Sequence, residues 1–114
     1  MTPDPRVSVL LPCRAAAATL DASLGSMAAQ TFASIQIIAV DDGSSDGTPE
    51  LLAEWARRDA RVESIQTPPR GIVAALNSAA GRARGEVLAR MDADDIADPR
   101  RFERQMAFLD ANPG

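Results

Sequence analysis

Short apolar runs alternate along this chain with longer segments in which apolar residues recur at helical spacing. Four of the runs, rich in β-branched residues, predict strands at residues 7–11, 35–40, 62–65 and 86–91. After each run, apolar residues three and four positions apart predict an amphipathic helix. The resulting β-α-β-α-β-α-β-α order predicts an α/β fold with a Rossmann-like, mostly parallel sheet and helices on both of its faces.

Each predicted helix has an apolar face, and three of them have a recognisable N-cap. Thr19 is the predicted cap of the first helix, Thr48 that of the second and Asp98 that of the fourth. Residues 1–6 are expected to be a lead-in that precedes the first strand. The residues expected to face the core are Leu20, Leu24 and Met27 in the first helix, Leu51, Leu52 and Trp55 in the second, Ile72, Val73, Leu76 and Ala80 in the third, and Phe102, Met106 and Leu109 in the fourth.

Polar and charged residues follow three of the predicted strands at their carboxyl ends. They occupy residues 12–14, 41–43 and 92–95. In parallel α/β sheets, ligands bind beyond the carboxyl ends of the strands, near the point where the strand order reverses. A strand order of 3-2-1-4 places all three segments side by side, and we therefore expect that order.

Three carboxylates lie within four residues, at Asp92, Asp94 and Asp95. Their mutual repulsion and their desolvation are unfavourable unless something positive lies among them. Mg²⁺ or Mn²⁺ suits such a cluster, because these ions take carboxylate oxygens and leave positions open for water and phosphate. The alternative is a loop whose acids only stabilise the N-terminus of the next helix.

Asp41 and Asp42 end the second predicted strand, and adjacent strand residues point in opposite directions. One carboxylate is therefore expected to face the ligand crevice, where it can accept the imide N–H of a nucleobase, and the other to face the scaffold. The alternative is a pair that only forms a turn. Arg14, Arg70 and Arg90 are candidate phosphate partners, with framework roles as the alternative.

Composition excludes several classes of function. The net charge of −4 and the 4% aromatic content argue against a nucleic-acid partner. All twelve cationic residues are arginine, and there is no histidine. The 114 residues therefore supply no P-loop lysine, no Schiff-base lysine and no histidine base. A phosphoreceiver signalling domain also needs a lysine, and its acid pair follows the first strand rather than the second.

The single cysteine, Cys13, cannot form an internal disulfide, which suits a reducing compartment. We expect it to be a buried and inert thiol at the end of the first strand. No run of 18 apolar residues occurs, so we expect no membrane segment in this chain. The expected location is the cytoplasm, including the inner face of the membrane.

A set of motifs occurs in a fixed order between Val7 and Leu109: VSVLLP, AAQTF, IIAVDDGSSDGT, GIVAALN, ARGE, ARMDADDI and P-x-R-F-x-x-Q-x-x-F-L. In this order and spacing the chain resembles the amino-terminal half of a family 2 glycosyltransferase with the GT-A fold. The resemblance implies an inverting enzyme that transfers a sugar from a nucleotide-diphosphate donor to an acceptor hydroxyl with the help of Mg²⁺ or Mn²⁺.

The resemblance also assigns roles by position. Asp42 resembles the family's base-recognising aspartate, and Asp92 and Asp94 resemble its D-x-D pair, with Asp94 nearer the metal and Asp92 nearer the ribose. Arg70 or Gly71 falls where members often present a phosphate-contacting arginine. Pro12 and Arg14 fall at the donor site, although Arg14-Ala15 replaces the Tyr-Asn that many members carry there, so no aromatic ring can stack on the base from that position.

The resemblance ends before the family's second half, which usually supplies the acceptor site and the acidic general base. Residues 1–114 are therefore expected to be the nucleotide-sugar-binding half of the domain, with the catalytic base outside this chain. Family members continue the sheet beyond the fourth strand, so we expect an exposed sheet edge here and self-association through it. The alternative function is a non-catalytic nucleotide-binding or interaction module.

Overall fold

Four parallel strands form the centre of the structure, a computed structural model that describes residues 4–112. They are β1 (Val7–Cys13), β2 (Ile35–Asp42), β3 (Val62–Thr67) and β4 (Val87–Arg90). Their order is β3-β2-β1-β4, which confirms the predicted order 3-2-1-4. Part of the predicted lead-in, residues 1–3, lies outside the described residues.

Four helices cover both faces of the sheet, as the alternation predicts. They are α1 (Leu20–Ala28), α2 (Thr48–Arg58), α3 (Ile72–Arg82) and α4 (Arg101–Ala111). Because successive strand residues point to opposite faces, Val9 and Leu11 pack in the core beneath α1, α2 and α4, whereas Leu10 packs beneath α3. The chain is therefore an α/β fold of three layers.

The face of α3 that meets the sheet differs from the prediction. Ala75 and Ala79 are buried, Leu76 is half-buried, and Ile72 and Val73 are 49% and 68% exposed. Short alanine side chains let the helix backbone lie close to the sheet, so the narrow buried stripe consists of small residues. Two further predicted core residues, Ala80 in α3 and Leu109 in α4, are also exposed, because they lie beyond the edges of the buried stripes of their helices.

Smaller differences concern the ends of the elements. β1, β2 and β3 each extend two residues farther than predicted, and β2 includes both Asp41 and Asp42. β4 is shorter than predicted, four residues long. Thr19 occupies the N-cap position of α1, but its side chain makes no capping hydrogen bond. Its hydroxyl donates instead to the carbonyl of Ala93 at 2.9 Å.

A buried glutamine in β2 forms hydrogen bonds to β1, to β3 and to the connection after α3, at the amino-terminal side of the sheet. Gln36 is 1% exposed, and its amide oxygen accepts hydrogen bonds from the Ser8 hydroxyl at 2.7 Å and the Arg84 N–H at 2.9 Å. Its amide nitrogen donates to Glu63 at 2.7 Å and to the Arg82 carbonyl at 3.0 Å. With these polar groups satisfied, the connection that leads from α3 into β4 is held against the sheet.

An exposed apolar surface lies at the outer edge of β4. Within residues 4–112, β4 pairs only with β1. Beside it, a groove of about 650 Å³ lies between β4 and α4, where Leu88 is 53% exposed and Phe108 67% exposed. In the same part of the chain, no helix has the length and apolar character needed to cross a bilayer.

We predict that two copies of the chain associate through this edge, because pairing would cover Leu88 and Phe108 and satisfy the outer hydrogen-bonding groups of β4. Replacing Leu88 and Phe108 together with lysine should weaken the association at least about tenfold, measured by sedimentation velocity over a concentration series. Ser78→Lys on the exposed side of α3 adds a charge away from the edge and should leave the association unchanged. A wild-type chain that sediments as a monomer throughout would contradict the prediction.

Candidate functional site

A cavity of about 470 Å³ opens at the carboxyl edge of the sheet, beyond the ends of β1, β2 and β4. Five residues predicted from the sequence to form a site line it together: Pro12, Arg14, Asp42, Asp92 and Asp94. The strand order brings them to one place, because β1 lies between the strands that carry the acids. The remaining lining residues are Cys13, Ala15, Ala16, Thr19, Gly71, Ile72, Ala75 and Ala93.

Two predicted arginines do not line the cavity with their side chains. Arg70 is exposed, and its main-chain N–H donates to Asp42 while its neighbour Gly71 lines the cavity. The guanidinium of Arg90 donates to Oδ1 of Asp92 from two nitrogens, each at 3.2 Å. Arg90 therefore pairs with one of the acids at the cavity.

Asp41 and Asp42 face different surroundings, which confirms their predicted opposite directions. Asp42 is 4% exposed and lines the cavity, and its two oxygens accept the N–H groups of Arg70 at 2.8 Å and Gly71 at 3.0 Å. Asp41 accepts the N–H of Ser44 at 3.3 Å and so supports the turn after β2. Each oxygen of an ionised carboxylate has two acceptor sites, so Asp42 retains acceptor capacity for a ligand.

A glycine allows the loop at residues 68–71 to approach the turn after β2. Gly43 has φ +72°, and a Cβ added to it would lie 2.5 Å from Cδ of Pro69. Residues 68–71 also contain Gly71, which has φ +96° and precedes the first turn of α3. The carboxylate of Asp42 and the absence of a side chain at Gly43 together fix this side of the cavity.

A second contact fixes the wall formed by the loop after β1. Three successive N–H groups donate to side-chain oxygens of the loop after β2: Ala15 to Ser44 at 2.8 Å, Ala16 to Thr48 at 2.9 Å and Ala17 to Asp46 at 3.2 Å. Within this wall the backbone of Ala15 has φ +50°, which is unfavourable for a residue with a Cβ. The hydrogen bonds therefore hold a conformation that the local sequence does not favour.

Asp46 is anchored within this contact by its neighbour in the loop. Its Oδ1 accepts both the hydroxyl of Thr48 at 2.6 Å and the N–H of Thr48 at 3.0 Å. These donors favour the ionised carboxylate and keep the pKa of Asp46 below its ordinary value. The roles of Ser44, Asp46 and Thr48 in this contact were not predicted, and the only sequence signal for them is the spacing Ser-x-Asp-x-Thr at residues 44–48.

The acidic cluster has a geometry that a divalent cation can use. One carboxylate oxygen each from Asp92, Asp94 and Asp95 lies within 4.8 Å of the others. Asp92 is half-buried, whereas Asp94 and Asp95 are exposed. The donor set consists of oxygen alone, which is the type that Mg²⁺ and Mn²⁺ prefer, so the residues present fit such an ion.

Cys13 lines the cavity, but its thiol is buried and unreactive, as predicted. Its residue is 1% exposed. Burial, together with the negative charge of Asp41, raises the pKa of the thiol to about 12. At neutral pH the thiol is therefore protonated and contributes an apolar surface to the site.

Comparison with known proteins gives a single family. The model of the family described as "Glycosyl transferase family 2" matches residues 8–114. An uncharacterized glycosyltransferase of Haemophilus influenzae is 37% identical over 109 residues, which are 95% of this chain and 34% of that protein. The chain thus spans about a third of the length of this relative.

Solved structures show the same fold. Staphylococcus aureus TarS 1-349 in complex with UDP-GlcNAc matches with a TM-score of 0.86 and 26% identity, over 93% of this chain and 31% of TarS. The mannosyltransferase PcManGT from Pyrobaculum calidifontis, in complex with GDP-Man and Mn²⁺, matches with a TM-score of 0.80 and 27% identity. That match covers 95% of this chain and 33% of PcManGT.

We predict that Gly43→Ala lowers the free energy of unfolding by about 3 kcal/mol, because the new Cβ would be strained at positive φ and would collide with Pro69. Urea unfolding followed by circular dichroism measures the change. Gly81→Ala is the matched control, since its added Cβ meets no atom within 4 Å and alanine favours the helix by up to about 1 kcal/mol. Equal stabilities of the two variants would contradict the close approach.

We also predict a loss of stability above about pH 9 that depends on Cys13. The chain has no lysine, histidine or tyrosine, so Cys13 is the only side chain that titrates between neutral pH and about pH 12. The pKa of the thiol is about 9.0 in the unfolded chain and about 12 in the folded chain, so the unfolded state loses its proton first as the pH rises. Stability should therefore fall by about 1.4 kcal/mol per pH unit across this window.

Urea titrations at a series of alkaline pH values measure this slope. Cys13→Ala is the control, because it changes stability by a constant amount and should remove the pH dependence. A wild-type slope that persists in Cys13→Ala would contradict the assignment.

Proposed function

The chain belongs to glycosyl transferase family 2, and on this premise we propose that it carries the nucleotide-sugar-binding half of a GT-A glycosyltransferase domain. The reaction is the transfer of a sugar from a nucleotide diphosphate to an acceptor hydroxyl with inversion. The bond from the acceptor oxygen to the anomeric carbon forms as the bond to the diphosphate breaks. The hydroxyl proton passes to a general base.

One observation carries the proposal: Asp42 from β2 and the pair Asp92 and Asp94 after β4 line the same cavity, although some fifty residues separate them in the sequence. A nucleotide sugar has a base at one end and a diphosphate in its middle. A site that recognises it needs a hydrogen-bonding group for the base and positive charge for the diphosphate. Asp42 could serve the base, and Asp92 and Asp94 could hold a cation that supplies the positive charge for the diphosphate.

The base end of the donor is assigned to Asp42, Pro12 and Arg14. The carboxylate of Asp42 is fixed by two main-chain N–H groups, and its remaining acceptor sites can take the N–H edge of a base. Pro12 and Arg14 line the same cavity. The guanidinium plane of Arg14 can lie against a base, in the position where many family members have an aromatic ring.

The diphosphate end is assigned to Asp94 and Asp92, which would hold Mg²⁺ or Mn²⁺, with Asp92 also near the ribose. Such an ion, when bound, offsets the charge that develops on the leaving diphosphate. The complex of the related PcManGT with Mn²⁺ supports a divalent ion. Arg70 is assigned to the phosphates, because its main chain is anchored beside the cavity by Asp42 and its side chain is exposed.

The acceptor site and the general base are assigned to polypeptide outside these 114 residues. The chain spans about a third of the length of the relatives that it matches, which supports this division. A cytoplasmic location, including the inner face of the membrane, suits a protein that uses activated sugars and has one unpaired cysteine.

We predict that UDP, GDP, dTDP or CDP raises the melting temperature of the chain, and that Mn²⁺ increases the shift for the preferred nucleotide. Asp94→Ala should abolish the increase that Mn²⁺ causes, because it removes a ligand from the proposed site. Stabilisation follows ligand concentration relative to affinity, so each nucleotide is titrated with and without Mn²⁺. Glu50→Gln, which removes one exposed negative charge from α2, is the matched control and should retain the full shift.

Three results would contradict parts of the proposal. A metal-dependent shift that survives in Asp94→Ala would remove Asp94 from the site, and the absence of any nucleotide shift would favour an interaction module. Steady sugar transfer by the 114-residue chain alone would show that the base lies within it.

A further inference from the structure

We propose that a polar stripe, formed by Ser23 and Ser26 of α1 and by Gln30 just beyond the C-terminal end of that helix, positions the acidic loop, residues 92–98, for metal binding. The inference rests on the proposed function for the identity of the ligand. It goes beyond that function because it assigns a role to three residues that do not line the cavity. Ser23 and Ser26 are three positions apart on the same side of α1, and Gln30 follows four positions later, two residues after the helix ends.

The serines of the stripe hold the main chain at two points of the acidic loop. The hydroxyl of Ser23 donates to the carbonyl of Asp92 at 3.3 Å. The hydroxyl of Ser26 accepts the N–H of Ala97 at 3.0 Å. One serine thus contacts the beginning of the acidic loop and the other contacts its end.

Gln30 extends the contact to the start of α4. Its side-chain nitrogen donates to the carbonyl of Asp98 at 2.7 Å, and its side-chain oxygen accepts the N–H of Phe102 at 3.2 Å. A single amide therefore joins the end of the acidic loop to the helix that follows. Phe102 is itself buried, so this junction is tied to the core.

The burial of the stripe indicates that these polar residues have a specific role. Ser23 is fully buried and Gln30 is 6% exposed. A buried polar side chain is unfavourable unless its hydrogen bonds are satisfied, and an apolar residue would fill the same space without that requirement. The polar side chains are accounted for by the carbonyl and N–H groups of a segment that forms neither helix nor strand.

The acidic loop needs such external partners because it lacks regular structure. Between β4 and α4, its main-chain groups have no sheet or helix to satisfy them. The stripe supplies neutral donors and acceptors to the main chain and makes no hydrogen bond to the carboxylates of Asp92 and Asp94, two residues that line the cavity. Groups that orient metal ligands in this indirect way typically affect metal affinity by about ten to a hundredfold.

The test compares Ser26→Ala and Gln30→Met with two controls. Ser26→Thr keeps the hydroxyl and should behave as wild type. Gly25→Ala lies on the same helix, where an added Cβ meets no atom within 4 Å. Affinity is measured by calorimetry for the nucleoside diphosphate that stabilises the wild type most among UDP, GDP, dTDP and CDP, with and without Mn²⁺.

We expect the gain in affinity that Mn²⁺ causes to fall about tenfold in Ser26→Ala and at least as much in Gln30→Met. The metal-free affinity should change less than about twofold, because the stripe does not contact the base end of the cavity. A general loss of folding would instead lower both affinities together. Equal losses with and without Mn²⁺, or no loss of the Mn²⁺ gain, would overturn the proposal.

Amide hydrogen exchange without ligand gives an independent readout. Exchange at Ala97 should accelerate in Ser26→Ala, and exchange at Phe102 should accelerate in Gln30→Met, since each variant removes the acceptor of that N–H. Unchanged rates would overturn the proposal even if affinity changed. If the wild type binds no nucleotide, the proposed function fails and the exchange rates alone decide whether the stripe holds the loop.

Should Gln30→Met fail to fold, Ser26→Ala and Ser26→Thr still decide the question, because Ser26 is only half-buried. Alanine lacks the hydroxyl, whereas threonine keeps it and adds one methyl group. A loss in the alanine variant with recovery in the threonine variant therefore assigns the effect to the hydrogen bond to Ala97.

Discussion

The position of β1 inside the sheet is the constraint on which the structure depends. β1 is hydrogen-bonded on both edges, with Leu10 opposite Ile38 of β2 and Arg90 of β4. Its apolar side chains are buried on both faces, which is the usual state of a strand in a parallel sheet. The carboxyl ends of β2 and β4 therefore lie on either side of β1, and the acids at the end of β2 and after β4 share the space beyond it.

Beyond the strand ends, neutral side chains carry out most of the positioning. Ser44 and Thr48 hold the wall at residues 15–17, together with the carboxylate of Asp46, while the polar stripe holds the acidic loop. Both contacts join segments that are about thirty to seventy residues apart. Irregular loops can thus keep a defined shape at the cavity while Asp42, Asp92 and Asp94 remain available to a ligand.

The sequence was sufficient to predict the order of the strands and the position of Asp42 beside Asp92 and Asp94. Both predictions rest on the alternation of strands and helices and on the occurrence of carboxylates at the carboxyl ends of the strands. It was not sufficient for the contacts of Ser23, Ser26 and Gln30, because a serine on a helix or a glutamine just after one has no distinguishing local pattern. The prediction of the buried face of α3 was wrong for a related reason. Large apolar residues dominate periodicity, yet close packing against the sheet selects small ones such as Ala75.

The electrostatics of the acidic loop explain why fixing its main chain matters. Asp94 and Asp95 are exposed, so water screens their repulsion and the fold can tolerate the cluster, while Arg90 offsets part of the charge of Asp92. Without a cation, the repulsion between the carboxylates favours any movement of main chain or side chain that separates them. Holding the carbonyls of Asp92 and Ala93 by α1 limits that movement to the side chains. A divalent ion then meets ligands whose main chain is already in place, which lowers the ordering entropy that binding must overcome.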